Sequence, residues 1–400
     1  MKEASITHKV PISTASGASS IIAQATQAHA PLRIAIDIRE AGHEKTGKGW
    51  YTYNLVQALL EIDSHNEYIL YTDQEKNSYK EFKNAHIKTV KGKSVIWHLN
   101  VLKDLKKSPP VDIFFAPTSY IIPCFAPKNL RVIITVHDLV AFLFPGSHNS
   151  KAVLIERVTL RKALKKAANV LVVSANTEKD LLDRFHYPKE KIHEVPCATT
   201  EFYKEEIGER ELTAFKKKHH LPDKFILAVG TLEPRKNFST LIKSFVIVKR
   251  KYPDCKLVIV GKKGWKYKLI EEALKKYQLE SDVIFPGYLV DEDLRKMYHL
   301  ASVFVFPSLY EGFGIPPLEA MACGCPVVSS NVASLPEVIG DSGLLIDPKN
   351  AHKWADAVCS LLDNEQTRNM LIERGHRRAE KFSWANSAKI ALEVFESYAR

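Results

Sequence analysis

Short, continuous apolar runs recur along this chain, each closed by a glycine, a proline or a polar residue. Residues 32–38 read LRIAIDI, and further runs lie at Tyr68 to Tyr71, Ile113 to Phe115, Val132 to Val136 and Val170 to Val173. Helical spacing of apolar residues, as from Tyr51 to Ile62, separates several of them. Runs without polar alternation are strands buried on both faces, and alternating them with helices predicts a parallel sheet. From Thr199 to Asp223 the chain turns polar and rich in lysine and glutamate, which predicts a linker with a short helix. The pattern then restarts with FILAVG (225–230), KLVIVG (256–261), DVIFPG (282–287), VFVFP (303–307), PVVSS (326–330) and GLLID (343–347). The expected fold class is α/β: two Rossmann-like domains facing each other across a cleft, with the boundary near residues 200–222. Trp384 to Tyr398 has amphipathic helical spacing and is expected to pack back onto the first domain.

Composition agrees with this division. Four hundred residues are too many for one ordinary core and suit two domains. The chain is 45% hydrophobic and 26% charged, as in a soluble globular protein. No apolar run approaches the roughly 18–20 residues that span a bilayer. Residues 1–30 are rich in Ala, Ser, Thr and Gln and lack the continuous apolar core of a secretion signal. A disordered tail is expected there, with a targeting segment as the alternative. The six cysteines, at 124, 197, 255, 323, 325 and 359, show neither a paired framework nor metal-ligand spacing. Buried thiols in a reduced, cytoplasmic protein are expected.

The formal net charge is +11. Basic residues cluster at Arg157, Arg161, Lys162, Lys165 and Lys166, at Lys216 to Lys218, and at Lys262 to Lys268. Such runs are either solvated faces or patches for anionic lipid headgroups or a phosphate-bearing acceptor. No nucleic-acid module accompanies the charge, so nucleic acid is not an expected partner. Peripheral binding at the inner face of a membrane is.

The candidate chemistry concentrates in residues 306–328, FPSLYEGFGIPPLEAMACGCPVV. Glu311 and Glu319 flank a glycine turn that follows a strand and opens a helix, and open α/β sheets bind ligands at such corners. Helix N-terminal amides attract phosphate, while carboxylates accept hydrogen bonds from sugar hydroxyls. Both at one corner suit a ligand that is half pyrophosphate and half sugar. The plain alternative is acidic residues stabilising a first helical turn. Gly312 and Gly314 let a ligand approach the backbone, and amides from Gly312, Phe313, Gly314 and Ile315 point to the sugar and distal phosphate. In GTLEPRKN, after the strand ending at Gly230, Arg235 and Lys236 can neutralise a pyrophosphate leaving group, and Asn237 can cap the next helix. His137 and Asp138 end the strand VIITV. A histidine there is either structural or part of the cleft. The glycines of TGKGWY, Gly47 and Gly49 around Lys48, permit a phosphate-cradling turn, although the G-x-G-x-x-G dinucleotide fingerprint is absent. Asp291, Glu292 and Asp293 begin a helix, where an acidic first turn is expected rather than a metal site.

Taken together, GTLEPRKN, the E-x7-E pair and the following A-x-G-x-P-V-V pattern resemble retaining glycosyltransferases of family 4, which have the two-domain GT-B architecture. The resemblance covers nearly all of residues 32–398 and is strongest over 226–348 and in TGKGWYTYNLVQAL. The VHDL at His137 resembles the bacterial mannosyltransferase subgroup. The resemblance implies an acceptor domain over 31–200, a donor domain over 201–380, and a C-terminal helix over 381–400. It implies that Glu311 binds donor-sugar hydroxyls, that Glu319 binds the ribose, and that His137 lies near the sugar with its backbone facing the reacting carbon. Asp138 either orients that histidine or binds the acceptor. Gly47, Lys48 and Gly49 fall near the donor phosphate and acceptor, and Gly287, Tyr288 and Leu289 form a rim for the base. The implied reaction moves a hexose, mannose from GDP-mannose first, to a hydroxyl of a glycan or lipid-linked acceptor. No metal or cofactor is expected beyond the nucleotide-sugar. A UDP-sugar donor and an epimerase of the same architecture are the alternatives.

Overall fold

The computed structural model describes residues 30–42, 47–74, 79, 81–107, 109–144, 146 and 150–399. Residues 1–29 of the expected N-terminal tail, and Thr46, lie outside them.

Two parallel sheets organise the chain. The first holds β1 (Arg33–Asp37), β2 (Glu67–Thr72), β3 (Ala85–Thr89), β4 (Ile113–Ala116), β5 (Arg131–Val136), β6 (Ala167–Val172) and β7 (Ile192–Glu194), in the order β3-β2-β1-β4-β5-β6-β7. Ile34 of β1 stands level with Tyr68 on one side and Ile113 on the other. One sheet face packs on the helices Gly47–Ile62 and Trp384–Glu396, through Tyr51, Leu55, Ala391 and Phe395. The other packs on Val95–Lys107, Ile121–Phe125, Ser150–Leu164 and Ala175–Phe185. With both faces covered, the strands need apolar residues at every position. The second sheet holds β8 (Phe225–Val229), β9 (Lys256–Val260), β10 (Val283–Gly287), β11 (Val303–Phe306), β12 (Val327–Ser330) and β13 (Leu344–Ile346), in the order β10-β9-β8-β11-β12-β13.

Three local readings of the sequence differ from the structure. β3 and β7 went unseen because both are edge strands with half-exposed or polar positions, so neither forms an apolar run. The segment Gly47–Gly49 is not a cradling loop. It forms the first turn of the Gly47–Ile62 helix, with Gly49 buried. Glycines are poor helix formers, which is why the apolar pattern starts only at Tyr51. Asn237 does not cap the Phe238–Lys251 helix with its side chain: it sits in the left-handed region (φ 57°) and donates from Nδ2 to the carbonyls of Pro307 and Pro348.

The chain's last helix crosses back. Phe395 is fully buried with its ring 5.3 Å from Phe115, Ser387 donates to the Pro196 carbonyl, and Asn169 donates to the Tyr398 hydroxyl at 2.6 Å. This strap packs along the Gly47–Ile62 helix. Phe395→Ala leaves a large cavity beneath the first sheet and should cost about 3–5 kcal/mol. Urea unfolding followed by far-UV circular dichroism checks this. A loss below ~1 kcal/mol would mean the strap contributes little to the first domain.

Candidate active site

A cavity of about 1100 Å³ opens between the two sheets. Its walls come from segments that directly follow strands: His137 and Asp138 after β5, Val173 after β6, Gly230 and Thr231 after β8, Tyr288 and Leu289 after β10. The carboxyl ends of both sheets therefore face one cleft, where parallel sheets leave room for ligands. Lys48, Arg235, Lys236, Glu311 and Glu319 also line it, as do Gly47 and the turn Gly312, Phe313, Gly314 and Ile315. Two expected residues do not. Gly49 is buried within its helix, and Gly287 (φ 84°) turns the backbone behind Tyr288.

At the centre lies an ion cluster. Glu311 accepts from Arg235 at 2.8 Å with one oxygen and from Lys236 at 2.6 Å with the other. Arg235 also pairs with Glu233 at 2.7 Å. Burial works against a charged Glu311, yet Lys236 and Arg235 hold its carboxyl down at about 2. The two cations expected to meet pyrophosphate are thus already matched by two carboxylates. Glu233 was missed, although it stands two positions before Arg235 in GTLEPRKN.

Glu319 has a different environment. Burial pushes its carboxyl up to about 7; the hydroxyls of Tyr298 and Tyr203 limit the rise and Asp291 adds to it. Tyr298 donates at 2.9 Å. Neither tyrosine was foreseen, since one sits in a helix and the other at the polar linker.

On the other wall, the ring of His137 uses Nε2 to reach the Pro117 carbonyl at 2.7 Å. A carbonyl only accepts, so Nε2 carries the proton. Burial and the Lys48 ammonium hold the imidazole neutral, at about 4. Asp138 does not orient this ring. Its carboxylate accepts from the Val140 N–H at 2.9 Å, at the start of the Val140–Leu143 helix. Burial works against the Lys48 charge, but Asp138, Glu156 and Glu40 raise its pKa, so a cation faces the cleft from the first domain.

Several contacts join the walls. Tyr310 donates to Asp180 at 2.6 Å and accepts from the Leu139 N–H. Glu337 accepts from the N–H groups of Ala175 and Asn176, at the N-terminus of the Ala175–Phe185 helix in the opposite domain. Thr177 donates to the His137 and Gly312 carbonyls. Among the described residues, no group of three or more His, Cys, Asp or Glu is arranged to hold a metal ion, and no helix is long and apolar enough to cross a membrane. All six cysteines are free, and five are buried.

Comparison with known proteins adds what geometry leaves open. The family model described as glycosyl transferases group 1 matches residues 209–378, and the model described as Glycosyltransferase Family 4 matches residues 46–200. The chain is 32% identical over 305 residues to O-antigen chain mannosyltransferase B of Escherichia coli, covering 75% of this chain and 76% of that protein. It is 30% identical over 282 residues to the serotype-specific mannosyltransferase WbdA of Escherichia coli, covering 66% of this chain but only 33% of that protein. The structure is similar to Anabaena HepE in complex with UDP-glucose, with a TM-score of 0.74, 15% identity, and coverage of 92% of this chain and 100% of that one.

The chain belongs to the family 4 glycosyltransferases. It is a hexosyltransferase of the GT-B fold. In this glycosyltransferase the Gly312 backbone packs against His137 of the opposite domain. A Cβ built there would lie 1.9 Å from the His137 carbonyl oxygen, so only glycine allows the approach seen. Gly312→Ala should therefore hold the domains apart. Transfer should fall by about 10²-fold or more, the scale of a 1 Å misplacement, while affinity for free nucleotide stays within roughly threefold. Steady-state kinetics beside a nucleotide titration separates the two. Equal loss of both would place the effect in the donor domain alone.

The Glu319 carboxyl gives a second expectation. Its folded value of about 7 lies above the ordinary 4.5. Charging it therefore destabilises the free protein as pH rises from 4.5 toward 7, and has no further effect above that window. A ligand whose hydroxyls donate to this carboxylate restores the charged form. Nucleotide binding at pH values just below 7 should release a proton, and Glu319→Gln should abolish the release. Calorimetry in buffers of different ionisation enthalpy reads it directly; proton uptake would contradict the assignment.

Proposed function

We propose that this protein transfers mannose from GDP-mannose, with retention of anomeric configuration and without a metal, to a hydroxyl of a glycan or lipid-linked acceptor. The observation that carries the reading is the Glu311–Arg235–Lys236 cluster in the cleft. When the donor enters, its hydroxyls donate to Glu311 and its pyrophosphate takes up the two cations. Charge then develops on the leaving phosphate where Arg235 and Lys236 already stand. That phosphate accepts the proton of the acceptor hydroxyl on the same face of the sugar. His137, held neutral by burial and the Lys48 ammonium, shapes the wall beside the sugar and takes no proton from the acceptor. Closure of the cleft through Tyr310 and Thr177 excludes water and limits hydrolysis.

Mannose as the sugar is supported by the mannosyltransferases to which the chain is 30–32% identical. Guanine as the base is supported by Asp291 and Glu292, which line the cavity beside Tyr288 and Leu289. A carboxylate accepts from both N1–H and the 2-amino group of guanine, whereas uracil offers one donor between two carbonyls. The UDP-glucose bound by HepE keeps a UDP-sugar as the competing donor.

The test is a donor screen with acceptor-containing extract, followed by assignment of the anomeric centre in the product. GDP-mannose should be the preferred donor, the product should be the α-anomer, and activity should persist in EDTA. Glu311→Ala should lower turnover by roughly 10²–10³, the scale of losing one preorganised transition-state contact. A preference for UDP-sugars, an inverted product, or a requirement for Mg²⁺ would each sink the corresponding part of the reading.

A further inference from the structure

Fourteen large apolar side chains are exposed among the described residues, and seven of them sit on three neighbouring helices of the first domain. Isolated exposed apolar residues are ordinary, but a contiguous group marks an interaction surface. Val95, Ile96 and Leu99 lie on the Val95–Lys107 helix, and Phe125 ends the Ile121–Phe125 helix. Leu154, Ile155 and Val158 lie on the Ser150–Leu164 helix. The short middle helix packs on both others, and all three cover the same sheet face. The exposed residues therefore lie on adjoining helices of one layer, 43–63% accessible on the two longer helices and 56% at Phe125.

Charge decides what covers this face. The two longer helices carry one acidic residue each. Asp104 is taken by Lys88 and the Tyr71 hydroxyl, and Glu156 turns into the cavity. Lys103, Lys106 and Lys107 on one helix, Lys162 on the other and Lys165 just beyond it, are exposed. On the Ser150–Leu164 helix the spacing 154-155-158-162 places the apolar residues and the cation on one stripe. The basic cluster read from the sequence needs revision here. Arg157 donates to the Ala141 carbonyl and Lys166 to the Ala126 carbonyl, while the guanidinium of Arg161 lies 5.4 Å from the Phe142 ring. Exposed apolar residues and lysines on the same helices, whose two acidic residues are engaged by Lys88 and by the cavity, match the headgroup layer of an anionic bilayer.

We propose that this three-helix face docks on an anionic lipid surface, with Ile96, Leu99, Phe125, Leu154, Ile155 and Val158 entering the headgroup layer. The surrounding lysines meet lipid phosphates. The Ser150–Leu164 helix also lines the cavity, through Ala152, Val153 and Glu156. A lipid-linked acceptor held in the bilayer thus reaches the cleft along one helix. The proposal rests on the reading of the acceptor as lipid-linked, and not on the identity of the donor.

Co-sedimentation of the full chain with phosphatidylcholine vesicles, with and without phosphatidylglycerol, tests it, beside a GDP titration. The protein should pellet only with the anionic vesicles. Salt should weaken binding but leave a remainder, because screening acts on the lysines and not on buried apolar area. The pair Lys103→Glu and Lys162→Glu should lose about tenfold or more at low salt. The triple change Ile96→Ser, Leu154→Ser and Ile155→Ser should lose the salt-resistant remainder by about tenfold or more. All variants should bind GDP like the parent, which shows that they fold. A failure of GDP binding in the parent would count against the donor reading and leave the docking result standing. Equal pelleting by neutral vesicles, or an apolar variant that pellets like the parent at high salt, overturns the proposal. So does a parent that stays in solution as a dimer which the apolar changes dissociate, since a second copy would then cover the face.

Discussion

A buried carboxylate held between two cations sets the arrangement around which this molecule is built. An unpaired ionised glutamate in such a place costs several kcal/mol, so Glu311 stays where Arg235 and Lys236 can reach both its oxygens. The same arginine donates to the Tyr310 carbonyl, and the Arg235 carbonyl accepts from the Leu309 N–H. Asn237 ties down the Pro307 carbonyl from the same segment. The loops after β8 and β11 are thereby stitched together. That stitching fixes the path of residues 307–314 and brings the Gly312 backbone against His137 in the other domain.

From that loop the closed cleft follows. Tyr310 reaches Asp180, Thr177 bridges two carbonyls, and Glu337 meets a helix N-terminus across the boundary. These hydrogen bonds lie beside a buried apolar cluster that takes residues from both domains, among them Tyr51 and Phe115 from the first and Phe304 and Phe313 from the second. Individually each contributes about 1 kcal/mol, somewhat more where a charge takes part. The cavity, about 1100 Å³, exceeds the usual range for one small ligand and suits a donor and an acceptor together.

The sequence disclosed those parts of the site that are contiguous. Glu311, Gly312, Gly314 and Glu319 lie within nine residues, and Arg235 and Lys236 are adjacent, so strand–turn–helix logic finds them. Most of the sheet strands were legible for a similar reason, because burial on both faces leaves unbroken apolar runs. The edge strands β3 and β7 were not, since all but one of their positions are partly or fully open to water. Pairings across long sequence separations were also silent. Tyr203 and Tyr298 meet at Glu319, and Thr177 meets Gly312, through residue types with no fixed spacing. The basic cluster near residue 160 was visible, but its apolar partners on the Val95–Lys107 helix were not. Their exposure depends on which side of the sheet each helix takes.

The central claim is a division of labour: Glu311 holds the sugar of the donor while Arg235 and Lys236 hold its pyrophosphate. Titrating Glu311→Gln and the parent protein with both GDP and GDP-mannose tests it most directly. The account predicts that the variant binds GDP at least as tightly as the parent, because two cations lose their internal partner, yet gains no affinity from the mannose. Equal weakening of GDP and GDP-mannose, or an undiminished contribution from the sugar, would contradict it.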